Sequence, residues 1–212
     1  MDGLTSKFIH FLTLLLIRLE GCGKFSSKGC YSVEDCAETV YWYETDRAYF
    51  TSGLLGKNLL NGVIALNQTK LEGFSKQVQD YVFLHELGHK SVNKAWKFIF
   101  YPMITFATLG SVISFFLFLG VPIHAAMYQN LAVSILSIYL IFPWFLTFTV
   151  TFIGVKWVDE AFAERFAFKK LGRNRAKEVI DEVEPEERSF QGKILHRMLY
   201  PPRRVLLKLL TL

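Results

Sequence analysis

The sequence predicts an α+β fold that is mainly helical, with a small β-sheet and an inserted hairpin of two apolar helices. The β-branched and aromatic run at residues 40–43 predicts a strand of the sheet. Three further observations predict the helical parts. Residues 78–89 carry apolar side chains at helical spacing and end in two histidines four residues apart. The 58 residues between Lys97 and Lys156 contain no Asp, Glu, Lys or Arg. A second helix-like segment, residues 157–172, follows that gap and carries paired glutamates.

We expect the chain to be organised in three parts. Residues 1–97 would contain an N-terminal helix, the small sheet and the helix with the histidines. Residues 98–155 would form the apolar hairpin. Residues 156–212 would supply the glutamate helix and a C-terminal helix that completes the domain. Arg203–Leu210 combines basic and apolar residues as a helix at a membrane surface does.

The N-terminal segment Phe8–Ile17 consists of ten mostly apolar residues. It is too short to span a bilayer core of ~30 Å, and a small-residue cleavage site typical of a signal peptide does not follow it. We expect an amphipathic or buried helix that packs on the domain or lies at the membrane surface, with a short membrane anchor as the alternative.

The cysteine pattern and the net charge indicate the cellular compartment and the binding partners of the chain. Cys22, Cys30 and Cys36 are odd in number and lack a C-x-x-C pair, which favours free thiols in a reducing compartment. The net charge of +5 has a simple explanation, since basic residues flank the apolar hairpin, where anionic lipid headgroups attract them. We expect a lipid bilayer as a partner and no nucleic acid.

The pattern His85-Glu86-Leu87-Gly88-His89 is the most specific chemical signal in the chain. Residues i and i+4 lie on one face of a helix, so both imidazoles can reach one metal ion. Glu86 is then placed to take a proton from a metal-bound water. The alternative is a helix with two polar histidines on a solvated face. A buried helix is favoured by the apolar residues that precede the pattern: Val78, Val82, Phe83 and Leu84.

The uncharged region is long enough for two membrane spans. Phe98–Gly120 has 23 residues, or about 35 Å of helix, and Leu131–Val155 is similar. Val121–Asn130, with Pro122 and His124, is predicted to be the turn between them. Two buried core helices of a soluble protein are the alternative.

A hairpin returns the chain to the side that it left, so the histidine and glutamate segments are expected on the same side. The lysines that flank the hairpin are Lys90, Lys94, Lys97, Lys156, Lys169 and Lys170. The connecting turn contains neither Lys nor Arg, so the positive-inside rule predicts that the histidines face the cytoplasm.

A third metal ligand is expected in the helix after the hairpin, where Gly172 stands at the position of a C-cap. Glu160 can complete a two-His-one-Glu site, with water in the fourth position. Glu164 lies one turn later and can accept a ring N–H from a ligating histidine. The alternative is that both are solvated charges that balance Lys169 and Lys170.

HELGH, then a hairpin, then Glu-x-x-Ala-Glu resembles the HtpX-like membrane zinc metalloproteases, which are related to the Ste-type CAAX prenyl endopeptidases and the Oma-type proteases. The resemblance implies a zincin-type domain, His85, His89 and Glu160 as ligands of one Zn²⁺, and Glu86 as general base. Glu164 stands where that family usually has Asp.

Two flanking segments extend the resemblance. Residues 48–53 are similar to the edge strand of that family, which implies that Ala48, Tyr49, Phe50 and Thr51 bind an extended substrate by strand addition. Tyr200-Pro201-Pro202, followed by two arginines, resembles the family's "HPP…R" segment, which implies that Tyr200 donates its hydroxyl to the oxyanion. The adjacent arginines are the alternative donors, and a proline turn before a surface helix is the alternative structure.

The expected activity is that of a membrane-bound zinc endopeptidase that cleaves membrane or unfolded proteins at the cytoplasmic face of a cell membrane. A prenyl-protein endopeptidase would use the same ligands but needs a chamber for a lipidated C-terminus. A non-catalytic metal-binding membrane scaffold would keep the ligands, but it has no use for Glu86.

Overall fold

The computed structural model describes residues 3–19, 23–44, 55–59, 61–92, 94–127, 131–183 and 200–210. These residues form a mixed α+β fold, mostly helical, with one four-stranded sheet and two long apolar helices. The helices are α1 (Gly3–Leu19), α2 (Gln68–Leu71), α3 (Lys76–Ser91), α4 (Lys94–Met127), α5 (Leu131–Leu171), α6 (Arg173–Val183) and α7 (Arg203–Leu210).

The chain divides into two compact units. One comprises Met1–Ser91, Ala161–Arg188 and Pro202–Leu212, and the other comprises Val92–Glu160 and Ser189–Pro201. The sequence placed the hairpin at residues 98–155, a few residues inside the Val92–Glu160 segment of the second unit.

The sheet belongs to the first unit and has the order β1-β2-β4-β3. Its strands are β1 (Lys24–Val33), β2 (Cys36–Glu44), β3 (Gly56–Asn58) and β4 (Ile64–Asn67). β1 and β2 form an antiparallel hairpin, β2 and β4 run parallel, and β3 pairs antiparallel with β4. The predicted strand at residues 40–43 is confirmed within β2. The predicted edge-strand residues 48–51 lie outside the described residues.

Helix α1 packs on one face of the sheet, as predicted for a helix that packs on the domain. The His10 Nδ1 atom and the Tyr41 hydroxyl lie 3.1 Å apart, and the Asn61 amide donates a hydrogen bond of 2.8 Å to Thr13. Exposed apolar side chains on α1 are Phe8, Ile9, Phe11 and Leu15. The helix therefore joins the domain through one face and presents apolar side chains elsewhere.

The main core of the first unit is built around α3. Its apolar residues pack against the sheet, the end of α5 and α6. The largest fully buried members of this core are Tyr81, Phe83, Phe168, Ile64, Leu66, Leu71, Leu84 and Ile180. The N-terminus of α3 is fixed to α6, because the backbone N–H and the hydroxyl of Ser75 both donate to the Glu182 carboxylate, at 2.9 and 2.8 Å.

The second apolar segment and the glutamate segment form a single helix, α5, of 41 residues. It ends at Leu171, and Gly172 follows with φ +80°, the left-handed conformation of a C-cap glycine. The prediction of a turn from residue 121 was wrong, because α4 continues to Met127 and includes Pro122 and His124. Proline is tolerated within apolar spanning helices, where other groups satisfy the freed carbonyl.

Two segments are long and apolar enough to cross a membrane, Phe98–His124 and Ile138–Leu171. Their apolar side chains are widely exposed, with Phe98 at 83% and Trp144 at 63%. Core helices of a soluble protein would bury such side chains, so the exposure argues against that alternative. Within this unit the two helices approach closely, because a Cβ at Gly110 would lie 2.5 Å from the Phe148 ring.

Candidate metal centre

Helices α3 and α5 touch backbone to backbone at Gly88. A Cβ added there would lie 2.7 Å from the Ala163 Cα and 2.8 Å from the Ala163 carbonyl oxygen, so only glycine fits. A glycine inside a helix costs about 1 kcal/mol relative to alanine. The close approach of α5 explains why a glycine is nevertheless present here. His85 and His89 flank Gly88 on one helix, while Glu160 lies one turn before Ala163 on the other.

The crossing brings three potential ligands together. One ligand atom from each of His85, His89 and Glu160 lies within 4.8 Å of the other two. The two imidazole rings are 4.9 Å apart between centroids and nearly perpendicular, at 87°. His85 and Glu160 are buried, and His89 is half-buried. This group could hold a metal ion, as the sequence predicted for the same three residues.

The donor set fits zinc. Two imidazoles and one carboxylate leave one position of a tetrahedral site for water or substrate. Ligand atoms ~2.1 Å from such an ion lie about 3.4 Å apart, so side-chain movements of roughly an ångström bring this cluster to binding distance. Other divalent metals accept the same donors, and geometry alone does not select among them.

Glu86 is buried on α3 beside the edge of the sheet. A Cβ at Gly56 would lie 2.8 Å from the Val82 Cγ1 and 3.0 Å from the Glu86 Cγ. Strand β3 therefore lies directly against the helix at the expected base. The sequence did not predict β3, and its one signal was Gly56, since an isolated strand glycine often marks a close approach.

Glu164 is deeply buried, with 2% of its surface exposed. The Tyr81 hydroxyl lies 2.6 Å from its Oε2 and 2.8 Å from its Oε1, and the Arg203 Nε donates to Oε1 at 2.9 Å. The His85 Nδ1 is 3.5 Å from the same Oε1. Glu164 is thus no solvated helix charge, and its carboxylate faces the histidine that we expected it to orient.

Tyr81 is the residue of this group that sequence reasoning missed. It lies one helical turn before His85, so the two side chains share a face of α3, and their ring centroids are 6.1 Å apart. The sequence signal that could have identified it is a tyrosine four residues before a predicted metal ligand. Its partner is 83 positions away, which local patterning cannot show.

The C-terminal segment reaches the site through an arginine. Tyr200 is half-buried in a bend before Pro201, and its role towards an oxyanion stays a prediction. Arg203, in the first turn of α7, contacts Glu164. Arg204 points elsewhere and pairs with Asp181 at 3.2 Å.

No family model, curated protein or solved structure matches the chain. The resemblance to the HtpX-like proteases therefore depends on sequence features alone: the motifs at residues 85–89 and 160–164, the apolar segment between them, and the flanking segments 48–53 and 200–204.

Proposed function

We propose that the protein is a membrane-bound zinc endopeptidase with a zincin-type domain of the HtpX-like kind. One observation carries the proposal: the α3–α5 crossing at Gly88 brings His85, His89 and Glu160 together, with Glu86 on the same helix as the histidines. Two imidazoles, one carboxylate and an adjacent second carboxylate are what hydrolytic zinc chemistry requires.

Glu86 is the residue that moves protons in this proposal. Zinc, when bound, supplies a Lewis acid that lowers the pKa of water and polarises a scissile carbonyl. Glu86 takes the proton of the attacking water and returns it to the leaving amine. Its burial beside Gly56 keeps most of the side chain out of bulk solvent, which supports a role in proton transfer.

The substrates proposed are membrane proteins or unfolded proteins, cut at the cytoplasmic face. The exposed apolar surfaces of α4 and α5 support a bilayer location, and the flanking lysines support the orientation. Strand β3 lies at the edge of the described sheet and next to Glu86, so an extended peptide that passes the base would run near this edge.

Two alternative functions would require different features of the protein. A prenyl-protein endopeptidase would need an enclosed chamber, and the two apolar helices of the described residues are few for that purpose. A metal-binding scaffold would function equally well without the Glu86 carboxylate. Cleavage that depends on Glu86 separates the protease from the scaffold, and a requirement for a prenylated peptide would favour the first alternative.

The test is cleavage of casein by the full chain purified in detergent and loaded with zinc. We expect Glu86→Gln to bind zinc normally and to lose at least about 100-fold in rate, the typical contribution of a general base. Glu178→Gln, an exposed glutamate on α6, is the matched control and should keep full activity. Equal rates for Glu86→Gln and wild type, or a zinc-loaded wild type that cleaves neither casein nor itself, would contradict the proposal.

A further inference from the structure

The carboxylate of Glu164 is a point where four side chains from three helices meet. It accepts hydrogen bonds from Tyr81 and Arg203 and faces the Nδ1 of His85. Three of these contacts converge on one oxygen, Oε1, while Oε2 takes the shorter contact with Tyr81. A buried carboxylate is costly unless it is paired, and here an arginine supplies the charge.

Arg203 occupies an unusual place for a cation. It lies in the first turn of α7, where the positive end of the helix dipole disfavours basic residues. Its ion pair with Glu164 offsets that penalty, and its guanidinium lies 5.7 Å from the centroid of the Tyr81 ring. Leu207, one turn further along α7, is buried in the core around α3 and α6.

We propose that Arg203 is a positioning residue of the metal centre. Together with Tyr81 it fixes the Glu164 carboxylate, which in turn holds the ring of His85 through Nδ1 and leaves the other ring nitrogen to the metal. This inference rests on the proposed zinc site. It makes α7 part of that site, although its residues lie more than forty positions after Glu160 in the chain.

A different role for Arg203 would be to contact the substrate directly. The geometry favours the positioning role, since the Arg203 Nε donates to a carboxylate that is itself 2% exposed. The neighbouring Arg204 provides a comparison within the same helical turn, because it has the same charge but pairs with Asp181 on the surface.

The first test measures zinc affinity of the full chain in detergent by competition with a chelator, together with the visible absorption spectrum of the Co²⁺-substituted protein. We expect Arg203→Met to weaken zinc binding about 10–100-fold, the range typical for residues that orient metal ligands, and to alter the Co²⁺ spectrum. Arg204→Met should leave both unchanged. Equal affinities and spectra for the two variants would overturn the inference.

The second test asks whether Arg203 acts through Glu164. In a Glu164→Gln background, Arg203→Met should weaken zinc binding by less than about threefold, because the carboxylate that it positions is gone. The same loss in both backgrounds would overturn the inference. Arg203→Lys keeps the charge without the Nε donor, and if Arg203→Met does not fold, this variant must show the intermediate affinity for the inference to stand.

Zinc binding by the wild type separates this inference from the proposed function. If the wild type binds no zinc, the two fall together. If the wild type binds zinc and cleaves casein while Arg203→Met matches it in affinity and spectrum, the proposed function survives and the inference alone is wrong.

Discussion

At the residue scale, Gly88 explains how one metal centre is assembled from two distant segments. Its missing side chain lets α5 approach until the Ala163 backbone touches α3. The histidines on either side of Gly88 then face Glu160. Metal binding by an HExxH pattern does not require a particular residue at the position of Gly88. The close approach of α5 explains why this position is a glycine.

Gly88→Ala should therefore separate the helices. The added methyl group would lie 2.7 Å from the Ala163 Cα, an overlap that typically costs about 1–3 kcal/mol in a packed core. We expect a lower unfolding temperature and weaker zinc binding, although alanine is the better helix former by about 1 kcal/mol.

Gly154→Ala is the matched control for this prediction. Gly154 lies in α5, and a Cβ there would meet nothing within 4 Å. It should leave zinc affinity unchanged and should not lower stability, which can rise by up to about 1 kcal/mol because alanine is the better helix former. A Gly88→Ala protein that binds zinc like wild type and unfolds at the same or a higher temperature would show that the crossing is not where the structure places it.

At the element scale, ionic contacts hold the tip of the β1–β2 hairpin to α5 and α6. Lys170 binds Asp35 at 2.7 Å, and Arg175 lies 3.6 Å from Glu34. The hydrogen bond from Lys170 lowers the pKa of the Asp35 carboxyl below its usual value. Each of these exposed ion pairs contributes little to the free energy of unfolding. The packing of α3 against the core and α6 contributes more.

A hydrogen-bonded contact links the start of α3 to α6. The Glu182 carboxylate accepts from both the backbone and the hydroxyl of Ser75, which fixes the start of the helix that carries the histidines. We expect Glu182→Ala to lower the free energy of unfolding by about 1–2 kcal/mol, because two hydrogen bonds to a charged acceptor are lost.

Chemical or thermal unfolding of the detergent-solubilised protein measures this effect. Glu178→Ala, an exposed change on the same helix, should stay within about 0.5 kcal/mol of wild type. If Glu182→Ala changes the free energy of unfolding as little as Glu178→Ala does, the contact with Ser75 does not stabilise the start of α3.

Some elements could be predicted from the sequence because their signals are local. The i, i+4 spacing of His85 and His89 and the C-cap at Gly172 depend only on neighbouring residues. β1 escaped prediction because most of its residues are exposed and show no clear apolar alternation, and β3 because it has only three residues. The contact of Tyr81 with Glu164 depends on tertiary packing, which no local pattern contains.

At the scale of the whole molecule, the long helix α5 contains residues of both units. Its first part is apolar and exposed, and its last part, from Ala161, belongs to the unit with the histidines. Glu160 is the last residue before that border. The apolar hairpin therefore separates Glu160 from His85 and His89 in the sequence. Because α5 is a continuous helix, the position of Glu160 relative to Ala163 is fixed.

The proposed topology can be tested with a natural probe. Cys30 is an exposed thiol in the unit with the histidines. In a variant with Cys22→Ser and Cys36→Ser, a membrane-impermeant maleimide should label it in inverted vesicles and leave it unlabelled in right-side-out vesicles.

Met127→Cys in a cysteine-free background is the control for this experiment. Met127 ends α4 and is 77% exposed, and a hairpin places it on the other side of the bilayer. It should show the opposite labelling pattern. Labelling of both positions from the same side would contradict the hairpin, and a reversal of both patterns would contradict the cytoplasmic orientation.

Metal content is the direct test of whether His85, His89 and Glu160 form one metal centre. The full chain, loaded with zinc and passed over a desalting column, should contain one zinc per chain. Glu160→Ala should lose most of it, whereas Asp159→Ala, which removes the adjacent carboxylate, should not. A wild type that retains no zinc, or a Glu160→Ala protein that binds zinc as tightly as wild type, would show that these three residues do not form a zinc site.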